Sequence, residues 1–424
     1  MLLTVSKRLE FSASRRLFRR EWNEEENRSA FGEESAARYG AGRNYIAWFV
    51  FTGAVDPATG MLMNISEIKQ RAGAVIDDRY DHKFLNEDNR DFAVAVPTAE
   101  NVARQLVTDV APLFHGSGAE LTGVYLQETS ERSATAFANG NTDGHHEFRF
   151  SAARTTMSPH LTQEENEQLF GLAASPHGHG HDYRVRLTVR SRAEDRRVPA
   201  HQRVAQCIDS LISEFDHRNL NIEVPGLRGL PMTTEVLTRY IFDRAKESLP
   251  IDRVRLHERA DFFAEYNLTG QHLLGMQMPF SAAHRLQSYG HSPEENAAMY
   301  GKCNNPRGHG HLYLAEATIG GVLDERSGAL CNFTEFQESL RRAVADWDNR
   351  HLDLETAEFR NRPSTGENIV QSLWEKMNPL LWNRLNRLRL WETANNRFTL
   401  RWSGDTPVAG GLGFGDKSVA APDQ

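Results

Sequence analysis

The chain has 424 residues, of which 39% are hydrophobic and 25% charged, a composition typical of globular proteins and a length that predicts two to three domains. Its formal charge of -8 argues against a nucleic-acid partner, because nucleic-acid binders usually present a basic face. The three cysteines lie far apart, which argues against a disulfide framework and predicts a reducing, cytoplasmic location. No apolar stretch approaches the roughly 20 residues of a membrane span, so we expect no membrane partner.

The first predicted strand covers residues 3–12 and leads into Phe11-Ser-Ala-Ser-Arg15, a segment that returns in altered form at 150–154 and 280–284. Each copy continues with a Glu-Glu-Asn step, an aromatic-Gly pair, an Asp-led segment, a Thr and Glu segment, and a last strand with a glutamate. Similarities in one fixed order predict tandem copies of a single fold. We place module 1 at 1–142, module 2 at 143–272, module 3 at 273–403 and a predicted disordered tail, rich in Gly, Ala, Pro and Asp, at 404–424.

Within a module, the pattern predicts the order strand, strand, helix, helix, strand, strand, and therefore an α+β fold. In module 1 an amphipathic helix is expected at 67–76, after the turn sequence Asp56-Pro-Ala-Thr-Gly60. In module 3 a strand is expected at 312–322 and a helix at 333–347.

A histidine motif in module 3 is the sharpest chemical signal. The segment Cys303-Asn-Asn-Pro-Arg-Gly-His309-Gly-His311 leads into a predicted strand, where residues two apart point to the same face. His309 and His311 can therefore present both imidazoles to one ion, and His284, at the end of the neighbouring strand, would supply a third. Three histidines with a fourth position left open are typical of catalytic zinc, so the sequence predicts a Zn2+ site.

Two segments of module 3 resemble 6-pyruvoyl tetrahydropterin synthases and the related enzymes that make 6-carboxytetrahydropterin for queuosine: Phe280-Ser-Ala-Ala-His284-Arg-Leu286 and Tyr300-Gly-Lys-Cys303-Asn-Asn-Pro-Arg-Gly-His309-Gly-His311. The resemblance extends over nearly the whole of all three modules. It implies tandem T-fold modules that form a pseudo-trimeric, twelve-stranded antiparallel barrel with helices outside. Two such chains would rebuild the family's hexamer, so we expect a homodimer.

The resemblance also implies a reaction, the Zn2+-dependent elimination of triphosphate from dihydroneopterin triphosphate in tetrahydrobiopterin synthesis. Cys303 would be the proton-abstracting base, assisted by an Asp-His pair from across a subunit boundary. Module 3 has Asp348-Asn349 in that place, with His351 two residues further on, whereas modules 1 and 2 retain Asp81-His82 and Asp216-His217. We therefore expect a composite site in which one of these two pairs, with His217 slightly favoured, completes module 3.

Candidate substrate contacts lie on the last strands and in the Thr and Glu segment. A glutamate there can accept two parallel hydrogen bonds from the ring N–H and the amino group of a pterin. The candidates are Glu128, Glu258 and Glu392. The resemblance adds Thr365 and Glu367. For the triphosphate we expect the cations beside the zinc motif, Arg285, Lys302 and Arg307.

Modules 1 and 2 have each lost parts of this chemistry. In module 1, the ligand positions hold Arg15, Ala41 and Arg43, and Glu34 lies near the place of the cysteine. In module 2, Arg154 replaces the first histidine and Ala173 the cysteine, while His179 and His181 remain. A second metal there would need His160 or His177 as third ligand; the alternative is that these histidines are left over or structural.

Other functions stay open at this point. The product is 6-carboxytetrahydropterin in one alternative, because the zinc motif does not separate the two activities. In a second alternative, the chain is a non-catalytic pterin-binding protein that has decayed from an enzyme, as modules 1 and 2 have. A structural zinc protein is more remote, because a three-histidine site with an open position argues against it.

Overall fold

The computed structural model describes residues 1–191 and 201–403. The predicted tail at 404–424 therefore lies outside the described residues. In the described part of the chain, no helix is both long enough and apolar enough to span a bilayer.

Module 1 supplies four long strands and the first four helices. Its elements are β1 (Leu2–Arg15), α1 (Glu24–Phe31), β2 (Ala41–Gly53), α2 (Ile65–Arg79), β3 (Lys83–Phe84), α3 (Leu85–Asp88), α4 (Ala99–Val110), β4 (Ala119–Gln127) and β5 (Arg132–Phe137). The helix predicted at 67–76 is confirmed as the interior of α2, and the predicted turn is closed by a hydrogen bond from the Gly60 amide to the Asp56 carbonyl, at 2.7 Å.

Modules 2 and 3 repeat this order, and the first strand of each begins one residue before the predicted boundary, at Thr142 and His272. Module 2 contains β6 (Thr142–Arg154), α5 (Gln163–Phe170), β7 (His179–Ser191), α6 (His201–Phe215), β8 (Arg218–Asn219), α7 (Thr234–Lys246), β9 (Ile251–Arg259) and β10 (Phe262–Asn267). Module 3 contains β11 (His272–His284), α8 (Pro293–Tyr300), β12 (His309–Gly321), α9 (Phe333–Val344), β13 (Arg350–His351), α10 (Leu352–Glu355), α11 (Gly366–Leu380), β14 (Leu385–Thr393) and β15 (Asn396–Arg401).

The twelve long strands form one closed antiparallel barrel, which confirms the predicted fold class. Within each module the second strand pairs with both the first strand and the penultimate strand. The modules join through β5 with β6, β10 with β11, and β15 with β1. The two-residue strands β3, β8 and β13 pair parallel with the first strand of their own module. Equivalent residues of the three modules therefore recur around one barrel.

Side chains along the barrel strands alternate between an apolar face and a polar one. On β9, Val254 and Leu256 belong to the apolar core, whereas the intervening Arg255 is buried among charged groups. Arg255 and Arg387 both pair with buried Glu265, and the Arg387 Nη2 to Glu265 Oε1 distance is 2.7 Å. This buried ion pair links β10 of module 2 to β14 of module 3.

Each module has a short helix between its first two strands. The predicted order lacks this helix, so this part of the prediction was wrong. The helices α1, α5 and α8 each begin with a capping box, as Asn23 and Glu26 show in module 1. The asparagine of the repeated Glu-Glu-Asn step is buried in each helix. In module 1 its side chain, on Asn27, accepts from the Arg19 amide at 2.7 Å, so the repeated step fixes the loop before the helix.

Candidate metal centre and its surroundings

The three predicted metal ligands converge at one end of module 3. In the β11 and β12 pair, His284 lies opposite His309, and His311 is two residues further along β12 on the same face. One ring nitrogen from each histidine lies within 4.8 Å of the others. The Nε2 atoms of His284 and His309 are 3.1 Å apart. This arrangement can hold a divalent cation.

The orientation of His284 is fixed from behind. Its Nδ1 donates to the Ser364 carbonyl at 2.8 Å, which leaves Nε2 directed at the other histidines. The Ser364 hydroxyl in turn donates to Asp353 Oδ2 at 3.0 Å. Burial lowers the pKa of His284 to about 3. The hydrogen bond to Ser364 acts in the opposite direction, and the nearby His309 and His311 lower the pKa further. The ring is therefore neutral and ready to act as a ligand.

Asp353 and Ser364 are functional candidates that the sequence analysis missed. The Asp353 carboxylate also accepts from the Arg285 amide, at 2.7 Å, next to the ligand His284. Asp353 could have been selected from the sequence, because it lies in the Asp-led segment that recurs in every module. Ser364 acts through its backbone carbonyl, and no side-chain pattern identifies such a role.

Cys303 lies on a 3-10 turn, Gly301–Asn304, between α8 and β12. Its carbonyl accepts from the Leu286 amide at 3.0 Å, which ties the turn to the chain that follows His284. Burial raises the pKa of the half-buried thiol, Glu392 adds to this effect and Lys302 opposes it. A base that takes the thiol proton is therefore needed before Cys303 can act as a thiolate.

Glu392 stands beside the three histidines. Its Oε1 atom lies 3.9 Å from His284 Nε2 and 4.0 Å from His311 Nε2. Its Oε2 atom accepts from Asn396 at 3.0 Å, and the Asn396 oxygen accepts from Lys7 of module 1 at 2.8 Å. Glu392 thus lies beside the histidines, at the end of β14, which is the penultimate strand of module 3 and not the predicted last one.

Thr365 and Glu367 connect this site to module 1. The Thr365 hydroxyl donates to the Gly60 carbonyl at 2.6 Å, and Glu367 Oε1 accepts from the Leu62 amide at 2.9 Å. The Tyr300 hydroxyl donates to the Thr59 carbonyl at 2.6 Å. The turn predicted at 56–60 therefore forms one wall of the module 3 site.

The cations near the site include some that the sequence analysis did not select. Lys302 and Arg307 are exposed, but Arg285 donates to Asn304 through Nε at 3.2 Å and braces the cysteine turn instead. Burial lowers the pKa of Lys7, and the nearby Lys69 and Lys302 add to this while Glu392 opposes it. Lys7 and Lys69 come from module 1, and only the barrel brings them to module 3.

The Asp-His pairs of modules 1 and 2 are built alike. Asp81 accepts from the Ser12 amide at 2.8 Å and its other oxygen lies 2.7 Å from His82 Nδ1. Asp216 has the same distances to the Ser151 amide and to His217 Nδ1. Both histidine rings are more than four-fifths exposed. Within the described ranges, no hydrogen bond or ion pair joins either ring to Cys303.

In module 3, Asn349 Nδ2 donates to Asp348 at 3.2 Å in the place of the imidazole. The His351 ring lies close to Gly308, which directly precedes His309: a Cβ added at Gly308 would lie only 2.6 Å from His351 Nε2. His351 also lies 3.8 Å from Asp353. It is a fourth histidine close to the metal centre.

Module 1 closes its equivalent site with ion pairs. Arg15 lies opposite Ala41 at the register position of His284 and His309, and Glu34 occupies the third position of the turn that holds Cys303 in module 3. Arg15 contacts Glu34 and Glu128, and Arg43 donates to Glu34 at 2.7 Å. Although burial opposes it, Arg15 and Arg132 lower the pKa of Glu34 to about 2. Guanidinium groups thus neutralise the carboxylates, among them the candidate Glu128.

Module 2 has an intermediate arrangement. His179, His181 and Glu258 are close enough to share an ion, and Arg154 lies opposite His179 at the register position of His284. Arg154 pairs with Glu258, and His181 Nε2 lies 2.9 Å from Glu258 Oε1. His160 and His177, the suggested third ligands, are both exposed and lie outside this group.

Comparisons with known proteins agree with this architecture. A family profile described as 6-pyruvoyl tetrahydropterin synthase matches three times, at residues 4–139, 144–269 and 274–402. A 6-pyruvoyl tetrahydrobiopterin synthase of Drosophila melanogaster is 37% identical over 134 residues, which are 31% of this chain and 79% of the relative. Its human counterpart is 35% identical over 122 residues, 28% of this chain and 84% of the relative.

Among solved structures, the Caenorhabditis elegans 6-pyruvoyl tetrahydropterin synthase is 31% identical and has a TM-score of 0.31, with 32% of this chain and 98% of that chain covered. The three profile matches together span most of the sequence. The chain therefore belongs to the 6-pyruvoyl tetrahydropterin synthase family.

Proposed function

We propose that the chain is a zinc-dependent lyase of pterin biosynthesis that eliminates triphosphate from dihydroneopterin triphosphate in module 3. The observation that carries the proposal is the convergence of His284, His309 and His311 beside the Cys303 turn and Glu392. The names of the relatives, 6-pyruvoyl tetrahydrobiopterin synthases, support the reaction class.

The residues of module 3 fit a zinc ion. The donor set consists of three imidazoles, and His309 Nδ1 and His311 Nε2 are buried without a hydrogen-bond partner in the described structure. Imidazole nitrogen is a preferred zinc ligand, and the hydrogen bond from His284 to Ser364 is the kind of outer contact that orients such ligands. When bound, zinc would supply a Lewis acid for the negative charge that develops on side-chain oxygens of the substrate.

Cys303 would remove the proton from the substrate carbon. Since burial and Glu392 raise the pKa of the Cys303 thiol, we propose that an imidazole takes its proton, and the exposed pairs Asp81-His82 and Asp216-His217 have the required form. In each pair the carboxylate orients the ring through Nδ1, which leaves Nε2 exposed for a proton. We propose that a second chain of a homodimer brings one of these pairs to Cys303, with His217 as the first candidate.

Substrate binding would involve both carboxylates of module 3. Glu392 lies next to the histidines, and Glu367 has one oxygen engaged with the Leu62 amide. A carboxylate matches the adjacent N–H groups of a pterin ring. Lys7, Lys69 and Lys302 would attract the triphosphate, because opposite charges concentrate a ligand at the mouth of a site.

The test is product analysis by mass spectrometry after incubation of the zinc-loaded protein with dihydroneopterin triphosphate. We expect triphosphate release and a pyruvoyl product, reduced about 10²–10⁴-fold in Cys303→Ala and unchanged in Cys207→Ser. A carboxy product would assign the chain to the queuosine reaction instead. Binding of the substrate without turnover would favour the decayed, ligand-binding alternative.

A further inference from the structure

A cavity of about 310 Å³ lies where module 2 meets module 3. Its size falls in the range of small-molecule sites, about 300–1,000 Å³. Apolar side chains of both modules line it, Phe170 and Phe262 from module 2 and Leu274 and Phe333 from module 3, and the rings of Phe262 and Phe333 contact each other edge to face. Such walls suit a flat, aromatic ligand.

One end of this cavity offers hydrogen-bond donors. Arg154 is 2% exposed, and its Nη2 donates to Glu258 and, at 2.9 Å, to Thr234. The other guanidinium nitrogens, Nε and Nη1, have no hydrogen-bond partner in the described residues. Neither nitrogen of the neighbouring His179 has one. These buried donors would match an oxo group or another oxygen of a ligand.

The cavity also contains acceptors. Glu235 lies at the first turn of α7 and accepts from the Leu330 amide of module 3 at 3.0 Å, as Glu367 of module 3 accepts from the Leu62 amide of module 1. Its helix is capped by Thr233, the equivalent of Thr365, so Thr233 rather than Thr234 is the repeated threonine. Glu258 holds the place that Glu392 has in module 3. Both carboxylates are therefore retained in position, but Glu258 is paired with Arg154 and His181, so Glu235 is the acceptor for a ligand.

The groups for chemistry are not retained. Ala173 occupies the third position of the 3-10 turn that carries Cys303 in module 3, so this turn supplies no thiol. The thiol that does line the cavity belongs to Cys331 of module 3, which lies outside the turn. Arg154 places a buried cation at the position of the ligand His284. A metal ion held by His179 and His181 would lie against this like charge, which disfavours it.

We propose that the cavity between modules 2 and 3 is a metal-free, non-catalytic binding site for a pterin-like heterocycle. Arg154 and His179 face the oxygens of the ligand, and Glu235 faces its N–H edge. The choice of a pterin rests on the proposed function, because that function supplies such molecules as substrate and product. Each chain then has one catalytic site and one holding site.

The first experiment counts the ligands. Neopterin, which is oxidised and not a substrate for elimination, is titrated into the zinc-loaded full-length protein by calorimetry. We expect two neopterins per chain, one in Ala173→Trp, which fills the cavity, and one in Glu392→Ala, which removes the module 3 contact. Ala174→Trp, one residue away and outside the cavity lining, is the matched control and retains two.

A stoichiometry of one that Ala173→Trp leaves unchanged overturns the proposal. The experiment also distinguishes failure of this holding site from failure of the proposed enzymatic function. A chain that binds neopterin in the module 2 cavity but never releases triphosphate keeps the holding site and loses the enzymatic assignment. A chain that turns over substrate but binds neopterin only at Glu392 keeps the enzymatic assignment and loses the holding site.

The second experiment tests the absence of metal. We expect one zinc per chain by elemental analysis, unchanged in His179→Ala and lost in His309→Ala. We also expect the neopterin binding that Ala173→Trp removes to persist after zinc is stripped with a chelator. Two zinc ions per chain, falling to one in His179→Ala, overturns the metal-free assignment.

Discussion

His82 of module 1 and Asn349 of module 3 share one unusual backbone conformation, with φ of 55° and 59° at the same step before the short parallel strand. His217 of module 2 has φ of 56° at the equivalent step. Asparagine is among the non-glycine residues that accept this left-handed region most readily. Histidine also adopts this region more often than most residues, but it lacks the short side chain with which asparagine bonds locally, so modules 1 and 2 retain the less favourable residue. This is the pattern expected when the imidazole has a function.

This strain predicts a trade of stability against activity. We expect His82→Asn and His217→Asn each to raise the free energy of unfolding by about 0.5–1 kcal/mol, because asparagine relieves the backbone. The variant whose pair completes the site should lose activity at the same time. Urea denaturation and turnover measurements check both effects. Asn349→His is the matched control and should lower stability by a similar amount; a stability gain in this control would contradict the strain argument.

A mixed dimer tests whether the Asp-His pair comes from the second chain. Cys303→Ala and His217→Ala homodimers should each be inactive, because every site lacks one member. A dimer purified with one chain of each kind should regain about half of the wild-type kcat, since one site combines an intact Cys303 with an intact His217. The same experiment with His82→Ala examines the pair of module 1.

The mixed dimer also shows whether Cys303 and its Asp-His pair come from one chain, and which module supplies the pair. If both groups of a site came from one chain, the mixed dimer would be as inactive as its parents. If His82→Ala abolishes turnover and His217→Ala does not, the pair belongs to module 1, against the preference for His217.

The repeated local signals were sufficient to predict the tandem modules, the family resemblance implied the barrel, and the motif predicted that His284, His309 and His311 lie together. His309 and His311 are adjacent on a strand, and His284 ends a segment found in every module. The helix α1 could also have been predicted, since Asn23 and Glu26 form a capping box that is visible in the sequence.

Other parts of the site could not be predicted, because they depend on contacts between distant residues. Lys7 reaches the site through Asn396, which is 389 positions away, and Leu62 meets Glu367 across 305 positions. The ion pair between Arg15 and Glu34 in module 1 could not be predicted either. The sequence shows that Arg15 stands in the place of His284 and Glu34 in the place of Cys303, but their contact depends on the folded loop.

Asp353 should control the affinity for zinc without being a ligand. Its carboxylate holds the Ser364 hydroxyl and the Arg285 amide, and the Ser364 carbonyl orients His284. We expect Asp353→Ala to weaken zinc binding about 10–100-fold, measured by competition with a chromophoric chelator. Asp346→Ala is the control, because that carboxylate is exposed and pairs only with Lys376 among its described contacts. Equal affinities in the two variants would contradict this role.

Glu367 should make the stability of the chain depend on pH. Burial raises its pKa from the ordinary 4.5 to about 7, against the hydrogen bond from the Leu62 amide. Below pH 4.5 the carboxyl is protonated in both the folded and the unfolded chain, so its contribution is fully present. As pH rises toward 7, the unfolded chain releases the proton first, and stability falls by on the order of 3 kcal/mol.

Glu367→Gln removes this titration and retains an oxygen for the Leu62 amide. We expect the urea midpoint of the variant to exceed that of the wild type at pH 8 and the difference to shrink toward pH 4.5, measured at several pH values in one buffer series. Glu375→Gln is the control, since Glu375 lies exposed on the same helix and should follow the wild type throughout. Parallel curves for wild type and Glu367→Gln would contradict this prediction, because they would show that Glu367 has the same pKa in the folded and the unfolded chain, and only a difference between these two pKa values produces the slope.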